Sequence, residues 1–134
     1  MILHIEKMMT LEHVQQAFSR HYPHLKIVYF IDRNKDNHLN SLERIQNLKM
    51  TIGSIREVSY DGFIQIEPTM TVLQVEMAFW KSFGLNVQIF RKSGNNWLMT
   101  HASDLWTLEE QNMKAEEMDM IIEKLEIPDY KEQE

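Results

Sequence analysis

The apolar positions of this chain follow two rhythms: a period of two, which marks a half-buried strand, and a period of three to four, which marks one face of a helix. Residues 2–6 and 63–67 read as short strands, the second with Ile64 and Ile66 set against Phe63, Gln65 and Glu67. A threonine follows each, Thr10 or Thr71, where a hydroxyl can accept from the exposed N–H groups of a first helical turn. Leu11, Val14, Phe18 and Tyr22 then lie on one helical stripe, and Val72, Val75, Phe79 and Phe83 on another. Pro23 and Gly84 stop these helices. Stretches 26–31 and 86–91, rich in β-branched and aromatic residues, supply a strand after each helix. Lys92-Ser93-Gly94-Asn95 predicts a hairpin turn into a strand over 96–100. Thr107, with Glu109 and Glu110 behind it, predicts the start of a third helix running to about residue 125. Its apolar side is Met118, Ile121, Ile122 and Leu125, and Pro128 ends it before a charged tail, 128–134, that is expected to fray.

The two strand–helix–strand units match each other. Laid over residues 62–84, residues 1–23 show Ile5/Ile66, Glu6/Glu67, Met9/Met70, Thr10/Thr71, Val14/Val75, Ala17/Ala78 and Phe18/Phe79 as identities. A one-residue slip then brings Leu25 onto Leu85 and Phe30 onto Phe90. Two copies, 1–31 and 62–91, joined by a linking loop over 32–61 and followed by a hairpin and helix over 92–127, predict a single domain spanning 1–134. The fold class expected is α+β. Duplicated strand–helix–strand units would form a ferredoxin-like sandwich, one sheet with helices packed on it, plus a C-terminal helix. The stretch Ile64-Gln65-Ile66-Glu67-Pro68, then Thr71-Val72, Val75, Phe83-Gly84-Leu85, Ile89-Phe90 and Thr107-Leu108, resembles the pattern of ubiquitin. That resemblance implies a ubiquitin-like β-grasp as the alternative fold and implies no partner.

Composition narrows the classes. Hydrophobic residues at 43% and charged residues at 25% are those of a globular chain. A net charge of −6, with Lys and Arg scattered, argues against nucleic acid and against an anionic membrane surface. No apolar run approaches the ~18 residues of a membrane span. With no cysteine, disulfides, thiolate zinc sites and cysteine nucleophiles are excluded. The first residues do not form a signal peptide, so a cytoplasmic location is the expectation. The ten methionines read as adaptable core filling.

Two features could carry function. Asp32, Asn34, Asp36, His38 (through its carbonyl), Asn40 and Glu43 follow the ligand spacing of a calcium-binding EF-hand loop. Asn37 stands where that loop has glycine, and a strand pattern precedes it in place of a helix. The bland reading is a solvated loop joining the copies, with no cofactor. The six histidines form no zinc spacing, and no nucleophile elbow, phosphate loop or dinucleotide fingerprint occurs. Glu67, Glu76, Asp104 and Glu109 read as solvated carboxylates. The second feature is a difference between the copies. Glu12, Gln16 and Ser19 of the first helix align with Leu73, Met77 and Trp80 of the second, which so gains a second apolar stripe. Either the C-terminal helix covers this stripe or a partner does. The function expected is a non-catalytic interaction module, self-associating as a homodimer or bound to another protein through Leu73, Met77 and Trp80. Arg91 and Trp97 of the neighbouring hairpin would assist. The alternatives are a calcium-stabilised domain and a small enzyme without a recognisable motif.

Overall fold

Strand β1 (Ile2–Ile5) buries Leu3 and Ile5 and turns Ile2 and His4 outward, as a period of two requires. Strand β2 (Leu25–Asp32) buries Leu25, Ile27 and Tyr29 in the same core. Between them runs helix α1 (Leu11–His21), with Leu11, Val14 and Phe18 buried. The computed structural model describes residues 1–32, 42–56 and 61–125. The remaining described elements are strand β3 (Leu42–Arg44), a 3₁₀ turn (Ile52–Ser54), strand β4 (Gly62–Gln65), helix α2 (Val72–Phe83), strand β5 (Asn86–Ser93), strand β6 (Asn96–Met99), a 3₁₀ turn (His101–Ser103) and helix α3 (Leu108–Leu125).

The fold is α+β, with three helices and two antiparallel sheets among the described residues. β1 pairs with β4, Ile2 opposite Gln65 through Ile5 opposite Gly62. The other sheet has the order β3-β2-β5-β6, with Ile27 opposite Ile89 and Tyr29 opposite Val87 across its centre. This differs from the single sheet expected of a ferredoxin-like sandwich. The strands flanking α1 part company: β1 joins β4 and β2 joins β5, and the strands flanking α2 divide the same way. Leu3, Ile5 and Ile64 of the small sheet share one core with Leu25, Ile27, Tyr29, Val87 and Ile89 of the large one.

Each helix start is held by more than its threonine. Thr10 Oγ1 accepts from His13 N–H, and Thr71 Oγ1 accepts from Gln74 N–H while Gln74 Oε1 accepts from Thr71 N–H, a reciprocal cap. The first two helical N–H groups, which no helix satisfies internally, find backbone carbonyls of later segments. Leu11 and Glu12 donate to Met50 and Leu48, and Val72 and Leu73 donate to Trp106 and Asp104. Thr107 and Glu110 form a second reciprocal cap at α3. Gly84 ends α2 at φ 66°, a left-handed conformation that glycine adopts without strain.

Helix α3 turns Leu108, Gln111 and Ala115 inward. Gln111 is fully buried and its polar atoms are satisfied. Its Oε1 accepts from Arg91 at 2.8 Å, and its Nε2 donates to the Ser103 carbonyl at 2.8 Å. At the next residue, Asn112 Oδ1 lies 3.1 Å from His24 Nδ1, and two turns further on Asp119 lies 3.3 Å from His24 Nε2. α3 therefore crosses the Leu25–Arg91 end of the large sheet. The span expected to be a linking loop contains β3 and the Ile52–Ser54 turn, elements too short to carry a period.

Candidate functional site

α2 presents two stripes to two surroundings. Val72, Val75, Phe79 and Phe83 are buried in the core. Leu73, Met77 and Trp80 line an open cavity of about 470 Å³ between α2 and β5. Met77 is 42% exposed and Trp80 40%, so α3 does not cover this stripe; it anchors at Arg91 and His24 instead. Across the cavity stand Asn86, Val87 and Gln88 of β5, with Leu42 and His101 at its ends.

The strand side of this groove is a stretch of β5 that β6 does not pair with, and its middle residue, Val87, is only 3% exposed. Ile27 C=O accepts from Gln15 Nε2 and Tyr29 C=O accepts from Ile45 N–H, so both residues turn their backbone groups to the β3 side of β2. In an antiparallel ladder, their partners across the strand pair, Ile89 and Val87, turn theirs the opposite way, toward β6 and α2. Ile89 C=O is met by Thr100, through Oγ1 at 2.6 Å and N–H at 3.3 Å. Ile89 N–H is met by Glu76 Oε2 at 2.9 Å. β6 pairs only with Phe90–Ser93, so no described residue hydrogen-bonds to Val87 N–H or C=O on this side.

Glu76 sits at the base of the groove. Burial pushes its carboxyl up to about 7, against the stabilising bond from Ile89 N–H, and the nearby Asp104 charge pushes it further the same way. Asp104 is close because its carbonyl accepts from Leu73 N–H. On α1 the matching position is Gln15, whose amide meets the edge of β2 at Ile27. The α2 position thus does the same edge-capping with a carboxylate in place of an amide.

The five partner-contact residues expected from sequence do not converge. Leu73, Met77 and Trp80 share the groove. Arg91 reaches the other way, bonded to Gln111 and lying 5.9 Å from the Trp106 ring. Trp97 opposes Lys92 across the β5–β6 pair, one residue out of step with Arg91, and so lies on the opposite sheet face. There Lys26 Nζ stands 4.6 Å from the Trp97 ring and Arg44 lies 5.3 Å from Phe90. Burial, and then the Arg44 charge, lower the proton affinity of Lys26.

Of the proposed calcium ligands, Asn34, Asp36, His38 and Asn40 lie outside the described residues. Asp32 ends β2 opposite Leu42, and Glu43 lies opposite Ile31, so the two outer positions stand at the foot of a strand pair. Among the described residues no three His, Asp or Glu side chains are grouped to hold a metal.

Glu76 and the edge of β5 were missed in the sequence. The signal for Glu76 was there: it lies between the stripes, flanked by Val72, Val75 and Phe79 on one side and by Leu73, Met77 and Trp80 on the other. No protein-family model, curated protein or solved structure matches this chain.

Proposed function

We propose that the chain is a non-catalytic protein-interaction module that docks a partner polypeptide in the groove between α2 and β5. The observation that carries the reading is the half-exposed pair Met77 and Trp80 beside an unpaired stretch of β5. Tryptophan and methionine are enriched where chains dock, and an isolated monomer gains nothing from leaving them in water. A homodimer is the simplest form such docking takes. The one titratable group buried in the groove, Glu76, is used by the backbone of Ile89 and faces no nucleophile among the described lining residues, which is why a docking role is preferred to a catalytic one. The matched threonine caps and backbone bonds of α1 and α2 support a duplicated origin, with the groove as a feature of the second unit alone.

Paired alanine variants test the reading. Phe79 and Trp80 are neighbours on α2, one wholly buried and one 40% exposed. Phe79→Ala is expected to lower unfolding stability by about 3–5 kcal/mol, as loss of a core aromatic does, and Trp80→Ala by about 1 kcal/mol or less. Light scattering of the intact chain at rising concentration reads self-association in the same samples. If Trp80→Ala costs as much stability as Phe79→Ala and the chain stays monomeric, the stripe is core and the reading fails.

A further inference from the structure

We propose that the face of the large sheet turned away from the core binds one phosphate group, free or as the monoester of a small molecule, between Lys26 and Arg44 beside Trp97. None of the described residues that line the α2–β5 groove takes part, so this site stands independently of the docking reading above.

Register places the cations. Lys26 lies opposite Phe90, Arg44 opposite Phe30, and Lys92 opposite Trp97. All take the strand parity that faces away from the core, since Leu25, Ile27 and Tyr29 hold the inward positions of β2. From β2, Lys26 spans β5 to set its Nζ 4.6 Å from the Trp97 ring on β6. From β3, Arg44 spans β2 to set its guanidinium 5.3 Å from the Phe90 ring on β5. The two charges thus converge on one Phe90–Trp97 pair from neighbouring strands. Val28 and Phe90 on this face are buried although they lie outside the core cluster, as apolar positions under long cationic stems are. The ring faces hold the two cationic heads in place, and a cation fixed before its ligand arrives loses little freedom on binding.

Charge and shape select the ligand. Among the described residues no carboxylate forms an ion pair with Lys26, Arg44 or Lys92. The Arg44 charge is felt at Lys26, so two like charges stand near each other without a neutralising partner. An anion set between them relieves both. A carboxylate brings one charge and is matched by Arg44 alone. A phosphate monoester brings close to two, and its three oxygens meet the Arg44 fork and the Lys26 ammonium together. The net charge of −6 sets the size of the ligand. A long polyanion would press its further phosphates against an acidic surface, whereas a single phosphate feels mainly the charges within a Debye length, about 8–10 Å.

The test titrates the full chain with inorganic phosphate and with phenyl phosphate at constant ionic strength, following backbone amide and indole N–H chemical shifts. Both probes are expected to give saturable shifts at the Trp97 indole and at the amides of Lys26 and Arg44. Arg44→Gln is expected to weaken binding by about fivefold or more, the effect of losing one charge-assisted bond. Lys26→Met is expected to do the same, and it keeps an apolar stem over Phe90, so it tests the site even where the shorter glutamine unsettles the sheet. Lys124→Gln removes an equal charge from α3 and is expected to leave binding unchanged. Tighter binding of phenyl phosphate would identify an organic monoester as the ligand, and equal binding would identify free phosphate; either result upholds the site. Shifts that grow without saturating would overturn it. So would a Lys124→Gln effect equal to that of Arg44→Gln, or acetate that binds as tightly as phosphate.

Discussion

On α2, Glu76 stands between two apolar stripes, and the burial this imposes raises its carboxyl from an ordinary 4.5 to about 7. The sign of the stability effect follows. Between about pH 4.5 and pH 7 the folded chain holds a proton at Glu76 that the unfolded chain has released, so stability falls as pH rises through this window. Glu76→Gln removes the dependence. Urea unfolding at pH 5 and pH 8 should show the variant gaining on the wild type by an amount on the order of 2–3 kcal/mol at the higher pH. Parallel stabilities across that range would mean that the carboxylate is solvated. In the sequence Glu76 looks like any other acidic residue of an acidic chain. Its flanking residues do hold the clue, because a side chain with apolar neighbours on both sides of a helix cannot reach water freely. What no pattern could supply is the strand edge that it caps, since that depends on where β6 stops pairing.

At the scale of elements, the helices and their starts were legible because each cap is a local event. A threonine hydroxyl meets an N–H three residues on, and the signal lies within four residues of sequence. Thr71→Ala and Thr107→Ala should each lower stability by about 1 kcal/mol, since each breaks a reciprocal cap. Thermal melts of the two variants check this; a loss within experimental error at both sites would mean that the backbone N–H bonds to the Trp106, Asp104, Met70 and Pro68 carbonyls hold these helix starts unaided. Strand partners were not legible. A period of two says which side chains face inward and is silent on which strand lies alongside. So residues 2–6 and 63–67 were recognisable as strands while their union in a separate sheet was not. β3, with three residues, carries no period at all. The course of α3 was hidden for a related reason. The apolar side expected for it is not the side that packs, for Ile121 is 45% exposed while Leu108 and Ala115 are buried, and Gln111 and Asn112, polar residues with no sequence signal, fix where it packs by meeting Arg91 and His24.

For the whole molecule, the two halves carry corresponding threonine caps and corresponding bonds at the starts of α1 and α2, yet they differ in what the helices show to the outside. α1 is polar on the flank where α2 carries Leu73, Met77 and Trp80. Comparing aligned positions found this difference from sequence alone. The structure adds that the stripe faces a sheet edge rather than α3, and that Arg91 and Trp97 belong to other surfaces. The central claim is that this groove docks a partner, and Trp80 reports on it most directly. Urea unfolding of the Trp80→Ala and Phe79→Ala variants, with light scattering of the same samples at rising concentration, should show Trp80→Ala losing about 1 kcal/mol or less and associating less than the wild type, where Phe79→Ala loses about 3–5 kcal/mol. A Trp80→Ala loss as large as that of Phe79→Ala, in a chain that stays monomeric, would contradict the account.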